Sequence, residues 1–144
     1  MSQSRRIAVL IGIVACLGLT DSGYLTIKHL QGSYVRCGDE CSAVLGSKYA
    51  DGIGGVPLAG FGAMGYATVL VTTIFAARGS KVGRQIRTVL ACAMALVSVW
   101  LLYLQAYVIH SFCKYCLASA TASFTLAVLV LIESFRRRPS RAAA

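Results

Sequence analysis

Charge is what this sequence has least of. Only 13% of its 144 residues are Asp, Glu, Lys or Arg, against about a quarter in an ordinary soluble domain. A chain of this length folded in water would need a polar skin that these residues cannot supply, so a soluble globule is excluded. Strict period-two alternation is missing as well, which excludes a β-barrel, the other architecture that can cross lipid. Internal repeats are absent, and the one biased segment is the basic tail 136–144, expected to be disordered. Acids are scarcest of all, five against fourteen bases, for a formal charge of +9. In a soluble protein that balance would point to nucleic acid. Here the bases cluster as Arg5 and Arg6, as Arg78, Lys81, Arg84 and Arg87, and as Arg136, Arg137, Arg138 and Arg141. Each cluster adjoins an apolar run, which is the pattern of membrane orientation, and no nucleic-acid partner is expected.

What the sequence has in abundance is hydrophobic residues, 57% of the chain. They fall into four runs, 7–27, 57–77, 88–109 and 116–135. Each is about 20 residues long, and at about 1.5 Å per residue each reaches the roughly 30 Å of a hydrocarbon layer. The expected fold is therefore an all-α membrane protein, a bundle of four transmembrane helices forming one domain over 1–144. The first run exceeds the apolar core of a signal peptide and lacks a small-x-small cleavage site, so it is expected to remain as a helix. Bases without acids in the amino terminus, in the link 78–87 and in the tail put both termini on the cytoplasmic side. The loop 28–56 and the short link 110–115 then lie outside.

Six cysteines can now be placed. Cys16 and Cys92 fall within helices, where a lone thiol packs as a small apolar side chain. Cys37, Cys41, Cys113 and Cys116 all arrive on the outer, oxidising side. In Cys113-Lys-Tyr-Cys116 the thiols stand at i and i+3 of a helix amino terminus, one face of one turn, where a disulfide is sterically feasible. Free N–H groups and Lys114 there favour thiolate over thiol, the mark of a reactive pair. Cys37-Gly-Asp-Glu-Cys41 reads either as a staple that orders the loop or as a shuttle between outside thiols and the membrane pair. Four outer cysteines allow three pairings. A short helix is expected within 39–49, capped by Asp39 or Ser42, with Val44 and Leu45 toward the membrane and Cys41 over the Cys113/Cys116 pair.

Together these residues carry a resemblance. Ser22-Gly-Tyr24, Cys37 with Cys41-Ser-Ala-Val-Leu-Gly-Ser47-Lys-Tyr49, Gly55-Val-Pro57 and Cys113-Lys-Tyr-Cys116 resemble the vitamin K epoxide reductase family in order, side of the membrane and spacing. The resemblance implies a membrane thiol oxidoreductase, of bacterial inner-membrane type and without a fused thioredoxin-like domain, whose helices surround a quinone, ubiquinone or menaquinone. It implies that Cys116 engages the quinone and that Cys113 exchanges with Cys41. Cys37 would receive electrons from a separate thioredoxin-like protein outside, and Ser47 would sit near the active disulfide. Three departures stand out, the first being that only three residues separate Cys37 from Cys41, fewer than in vertebrate members. Ala120 occupies the place of a Tyr in vertebrate members, and the chain has no Asn. The last two remove side chains associated with vitamin K epoxide, so quinone reduction coupled to disulfide formation is the expected activity. Cys116, Ser47, Tyr107 and Ala120 are the expected quinone-binding residues, although Tyr107, like Trp100 and Tyr103, also fits an interfacial anchor. Gln105 is open in the same way. Asp21, an acid inside a span, and His110, beside the cysteine pair, are candidates for proton handling. Two other classes compete: a soft-metal carrier that uses the four cysteines as thiolate ligands, and the unrelated four-helix quinone-linked disulfide oxidases. The latter carry their two cysteine pairs in the reverse order.

Overall fold

A computed structural model describes residues 3–32 and 38–137. The order of elements is α1 (Gln3–Leu30), α2 (Asp39–Leu45), α3 (Leu58–Ala77), α4 (Lys81–Tyr103), a π-helical turn (Leu104–Ile109) and α5 (Lys114–Arg137). Four of these segments, 3–30, 58–77, 81–109 and 114–136, are long and apolar enough to span a membrane. The protein is thus a multi-pass membrane protein of four helices, with α2 in the long loop as a fifth, short one. The long helices close a ring, α1 against α3 and α5, and α4 against α3 and α5.

At the centre of the ring Ile11, Ala15, Tyr66, Val69, Ala91, Leu126 and Val130 are buried together. Apolar side chains such as Leu17, Val89, Leu96 and Phe135 point outward, as lipid-facing positions should. Association in lipid depends on close packing, and small residues provide it. Gly62 faces Ser22, Gly65 faces Met94, and Gly18 lies directly under the Tyr66 ring, where a Cβ would collide with the ring carbons. Hydroxyls inside the spans fold back on their own helices, as in Thr26 to the Ser22 carbonyl, 2.7 Å, and Thr73 to the Val69 carbonyl, 2.7 Å. No water is needed to satisfy them.

The link between α3 and α4 is shorter than charge counting suggests. Gly79 turns the chain at φ 93°, and Ser80 caps α4 by accepting the Gly83 N–H at 3.1 Å. The helix therefore begins at Lys81, and Arg84 and Arg87 lie within it rather than in a loop. Arg87 is 1% exposed and Glu133 of α5 is 4% exposed, and the guanidinium donates to the carboxylate at 2.7 Å. An arginine near the end of an apolar run reads as a loop residue until its partner, 46 positions on, is brought beside it. α1 and α5 also extend past their apolar runs, because polar residues at both ends continue the hydrogen-bonded backbone, whereas α3 coincides with its run. The tail 138–144 lies outside the described residues. Cys16 is exposed on α1 and Cys92 half-buried on α4, so Cys16 is not the packing residue expected.

Candidate redox site beneath the α2 loop

The site is built where α4 ends. The six residues that follow it, Leu104–Ile109, form the π-helical turn, and His110 stops it in the left-handed conformation, φ 55° and ψ 32°. The chain then reverses onto Gln105. The Ser111 N–H donates to the Gln105 carbonyl at 3.1 Å, and the Cys113 N–H donates to Gln105 Oε1 at 3.0 Å. π-Turns inside helices are frequent at functional sites, and this one places a glutamine under the cysteine pair.

Cys113 starts α5 in the way a serine or aspartate caps a helix. Its Sγ accepts the Cys116 N–H at 3.4 Å, so sulfur takes the place of the usual capping oxygen. The Cys113 thiol is held down to about 7, foremost by the Cys116 thiol that bonds to it. Burial pushes it up, the N–H groups of Cys116 and Tyr115 pull it down, and the Asp21 carboxylate raises it. The thiolate character expected from the helix terminus is present, with the neighbouring thiol as its leading cause.

The short helix expected in the loop is α2. Its amino-terminal cap is Gly38, at φ 95°, and no side chain caps it. Asp39 is its first residue, and Ser42 donates back to the Gly38 carbonyl at 3.3 Å. Cys41 and Val44 of α2 form one buried cluster with Cys113, and Leu45, Ile109, Tyr115 and Cys116 pack against it. Cys41 is disulfide-bonded, whereas Cys113 and Cys116 are free thiols. Cys37 lies outside the described residues. Tyr115 stacks on Tyr24 of α1 with ring centroids 5.8 Å apart, and His29 meets Asp51 at 3.6 Å. These contacts tie the loop and the start of α5 to the end of α1.

Below this lid lies a cavity of about 320 Å³. Cys116, Ser119, Ala120 and Ser123 of α5 line it, with Tyr66 of α3, Gln105 and, from the lid, Ser47 and Tyr49. The wall is otherwise mainly apolar. Three of the four residues expected to bind a quinone, Cys116, Ser47 and Ala120, thus share one cavity. Tyr107 does not. It is 69% exposed and stacks on Tyr103 at 5.1 Å, because the π-turn directs Gln105 and Ile109 inward and the intervening face outward. Trp100 and Tyr103 point outward with it, as interfacial anchors do. Ser47 donates to the Val44 carbonyl at 2.7 Å, which makes it a brace for α2 within the cavity wall.

Several polar residues of the wall escape sequence reading. The Tyr66 hydroxyl donates to the Ser119 carbonyl at 2.7 Å and lies 2.9 Å from Ser123 Oγ and 3.2 Å from Ser119 Oγ. Ser22 reaches Ser119 Oγ at 3.5 Å. Positions 119 and 123 are i+3 and i+7 from Cys116, so helical periodicity alone puts them on the face of the reactive thiol. Asp21 Oδ2 is buried with no hydrogen-bond partner among the described residues, and Asp21 is felt electrostatically at Cys113. Among the described residues no three His, Cys, Asp or Glu side chains converge as a metal site.

Comparison with known proteins supplies the remaining observation. The model of the vitamin K epoxide reductase family matches residues 9–131. The chain belongs to that family. The matched segment holds Cys37, Cys41, Cys113 and Cys116 and every cavity residue named above, and it stops short of Glu133. No curated protein matches the chain. Membership in the vitamin K epoxide reductase family makes the chain a membrane oxidoreductase. Its fold, a four-helix bundle with the paired cysteines at one end, is the one expected of the family.

Proposed function

We propose that this protein oxidises the thiols of a separate thioredoxin-like protein and passes the electrons to a membrane quinone, so that disulfide formation outside the cytoplasm is coupled to quinone reduction. One observation carries the reading: Cys113 is buried against the loop residue Cys41, while its neighbour Cys116 lines the cavity. One thiol of the pair faces the donor side and the other the acceptor side.

A quinone fits this cavity by chemistry. The wall is mainly apolar, as a ring on a lipid tail requires, and it carries a few polar groups and one thiol. Cys116, Ser119, Ala120 and Gln105 would hold it, and when bound it supplies an acceptor for two electrons and two protons.

The protein's own steps are thiol exchanges. A partner thiolate attacks Cys37 of a Cys37–Cys41 disulfide, and the second partner thiol resolves the mixed disulfide. The partner leaves oxidised and the loop pair is left reduced. The Cys41 thiolate then attacks Cys113 of a Cys113–Cys116 disulfide and releases Cys116. Cys37 in turn attacks Cys41, which re-forms the loop disulfide and frees Cys113. The state with Cys41 disulfide-bonded and Cys113 and Cys116 free corresponds to this point, with two electrons resting on the α5 pair. That pair closes again as the electrons and two protons leave it. A Cys113 thiol held near 7 is a good leaving group and a competent attacking thiolate at neutral pH.

Bases at 5, 6, 78 and 136, at the end of the bundle opposite the cysteines, support cytoplasmic termini and an outward-facing site in a bacterial inner membrane. Ala120 and the absence of Asn support quinone rather than epoxide as substrate. The order of transfer is tested by Cys37→Ala. It should lose oxidation of a reduced thioredoxin-like protein yet retain quinone reduction by a small dithiol, which is small enough to take the place of Cys37 in the exchange with Cys41. Loss of both activities in a folded Cys37→Ala protein would overturn the order.

A further inference from the structure

We infer that Gln105 is the hydrogen-bond donor that recognises a carbonyl oxygen of the quinone, and that it couples this recognition to the cysteine pair. The inference rests on the quinone reading above and deepens it.

The argument is one of hydrogen-bond capacity. A backbone N–H can only donate, so the contact of 3.0 Å with the Cys113 N–H fixes which end of the Gln105 amide is oxygen. The amide nitrogen then carries two donors with no protein partner among the described residues. Gln105 is 3% exposed and is itself a wall residue of the cavity. Donors of so enclosed a residue that open onto the cavity can be satisfied only by something in the cavity that accepts from them.

Several other polar groups of the wall are more fully engaged. The Tyr66 proton is committed to the Ser119 carbonyl, Ser119 and Ser123 lie against the Tyr66 oxygen, and Ser47 donates to the Val44 carbonyl. The Ser98 hydroxyl, two turns deeper on α4, can fold back on its own helix. Gln105 differs because its oxygen is pinned, so its donors cannot turn away. Its other connections place it beside the chemistry: Gln105 Oε1 holds the Cys113 N–H, and Cys113 Sγ accepts the Cys116 N–H at 3.4 Å.

The chemistry that fits fixed N–H donors, an apolar wall and an adjacent thiol is a flat carbonyl compound that gains electron density on oxygen. As electrons reach the acceptor, negative charge grows on that oxygen, and a preorganised donor stabilises the reduced form more than the oxidised one. Gln105 would thus bind the oxidised quinone modestly and favour its reduction. An Asn, or a Tyr at position 120, is not required for this task, in keeping with Ala120 and the absence of Asn from the chain.

The test measures binding apart from turnover. The full chain, oxidised and in detergent, is titrated with a short-tailed ubiquinone analogue by calorimetry, as wild type, Gln105→Leu and Gln105→Glu. Gln105→Leu removes acceptor and donors together. Gln105→Glu, at pH 8, keeps an acceptor for the Cys113 N–H and removes the amide donors, which guards against misfolding of the first. Both variants should bind the analogue about 3- to 10-fold more weakly, the range expected for one neutral hydrogen bond. Gln105→Leu should also disturb the pH profile of Cys113 alkylation through loss of its N–H partner, and Gln105→Glu should move its midpoint up, since a nearby carboxylate raises the thiol as Asp21 does. Unchanged affinity in either folded variant would make Gln105 a cap of the turn and overturn the inference alone. Absence of binding by the wild-type protein would overturn the quinone reading with it.

Discussion

The two ends of this bundle each bury a polar contact between the α4 segment and the α5 segment, and they do so to opposite effect. Near the base of α4, Arg87 and Glu133 neutralise each other at 2.7 Å, and neither lines the cavity. Near its other end, Gln105 holds the Cys113 N–H, and the groups around it keep chemistry in reserve: two free thiols, an amide nitrogen without a protein partner among the described residues and a cavity that adjoins them. Burial of a polar group therefore does not by itself mark a functional site. What separates the two ends is unspent capacity facing open space.

The comparison can be broken from either end. The largest effect is expected at Cys116. Cys116→Ala should abolish quinone reduction by any thiol, a loss of about a thousandfold or more, because no second thiol of the pair remains to close the disulfide. Thermal unfolding should shift little. A Cys116→Ala protein that still reduces quinone at an appreciable rate would remove the functional distinction between the ends.

The opposite end should respond in stability. Arg87→Met leaves the Glu133 carboxylate buried without its cation and should cost about 3–5 kcal/mol, whereas Arg87→Met with Glu133→Leu should recover most of it. Activity per folded molecule should be preserved in the double variant. A denaturation series with activity measured on the folded fraction checks both. Loss of catalysis in a stable double variant would show that the pair serves more than the fold.

Gly18→Leu tests the packing between the two ends. A side chain there meets the Tyr66 ring, so a loss of about 1–3 kcal/mol is expected. The displaced Tyr66 hydroxyl should also weaken quinone binding, which Gly18→Leu would show in the same titration as Gln105→Leu.

The pH dependence of the thiol sharpens the comparison further. In the reduced protein the Cys113 thiolate is present above about 7 and absent below it, so alkylation by iodoacetamide should rise through a midpoint near pH 7. Cys116→Ala removes the leading cause and should move that midpoint up toward the ordinary value of 9.0, while Asp21→Asn removes an opposing charge and should move it down by less. Mass spectrometry of alkylated peptides across pH 5–10 reads both shifts. The smallest effect is expected at Tyr107. Tyr107→Ala should leave the quinone KM within about twofold of wild type, because the side chain stands 69% exposed on the outer surface of its helix.

These contrasts also explain what could be read from the sequence. Helix number, the paired cysteines and the lid helix follow from run length, i to i+3 spacing and turn chemistry, all of which are local. Cys116, Ser47 and Ala120 were legible as companions because a family pattern linked them. Arg87 was misplaced because charge counting assigns bases at the end of an apolar run to a loop, and its partner Glu133 is distant along the chain. Tyr107 was misplaced because the π-turn changes the angular step between residues, which a regular helical wheel does not anticipate. Tyr66 carried no local signal, since its role depends on serines more than fifty positions away.

The central claim is that the α5 thiols deliver their electrons into the cavity. The most direct measurement is anaerobic: the protein is reduced in detergent, freed of reductant and mixed with a ubiquinone or menaquinone analogue, and quinol absorbance is followed beside the free-thiol count. Two thiols should disappear for each quinol formed, with Cys113 and Cys116 recovered as a disulfide-linked peptide and no quinol formed by Cys116→Ala. Thiols that stay free while both quinones remain oxidised would contradict the account.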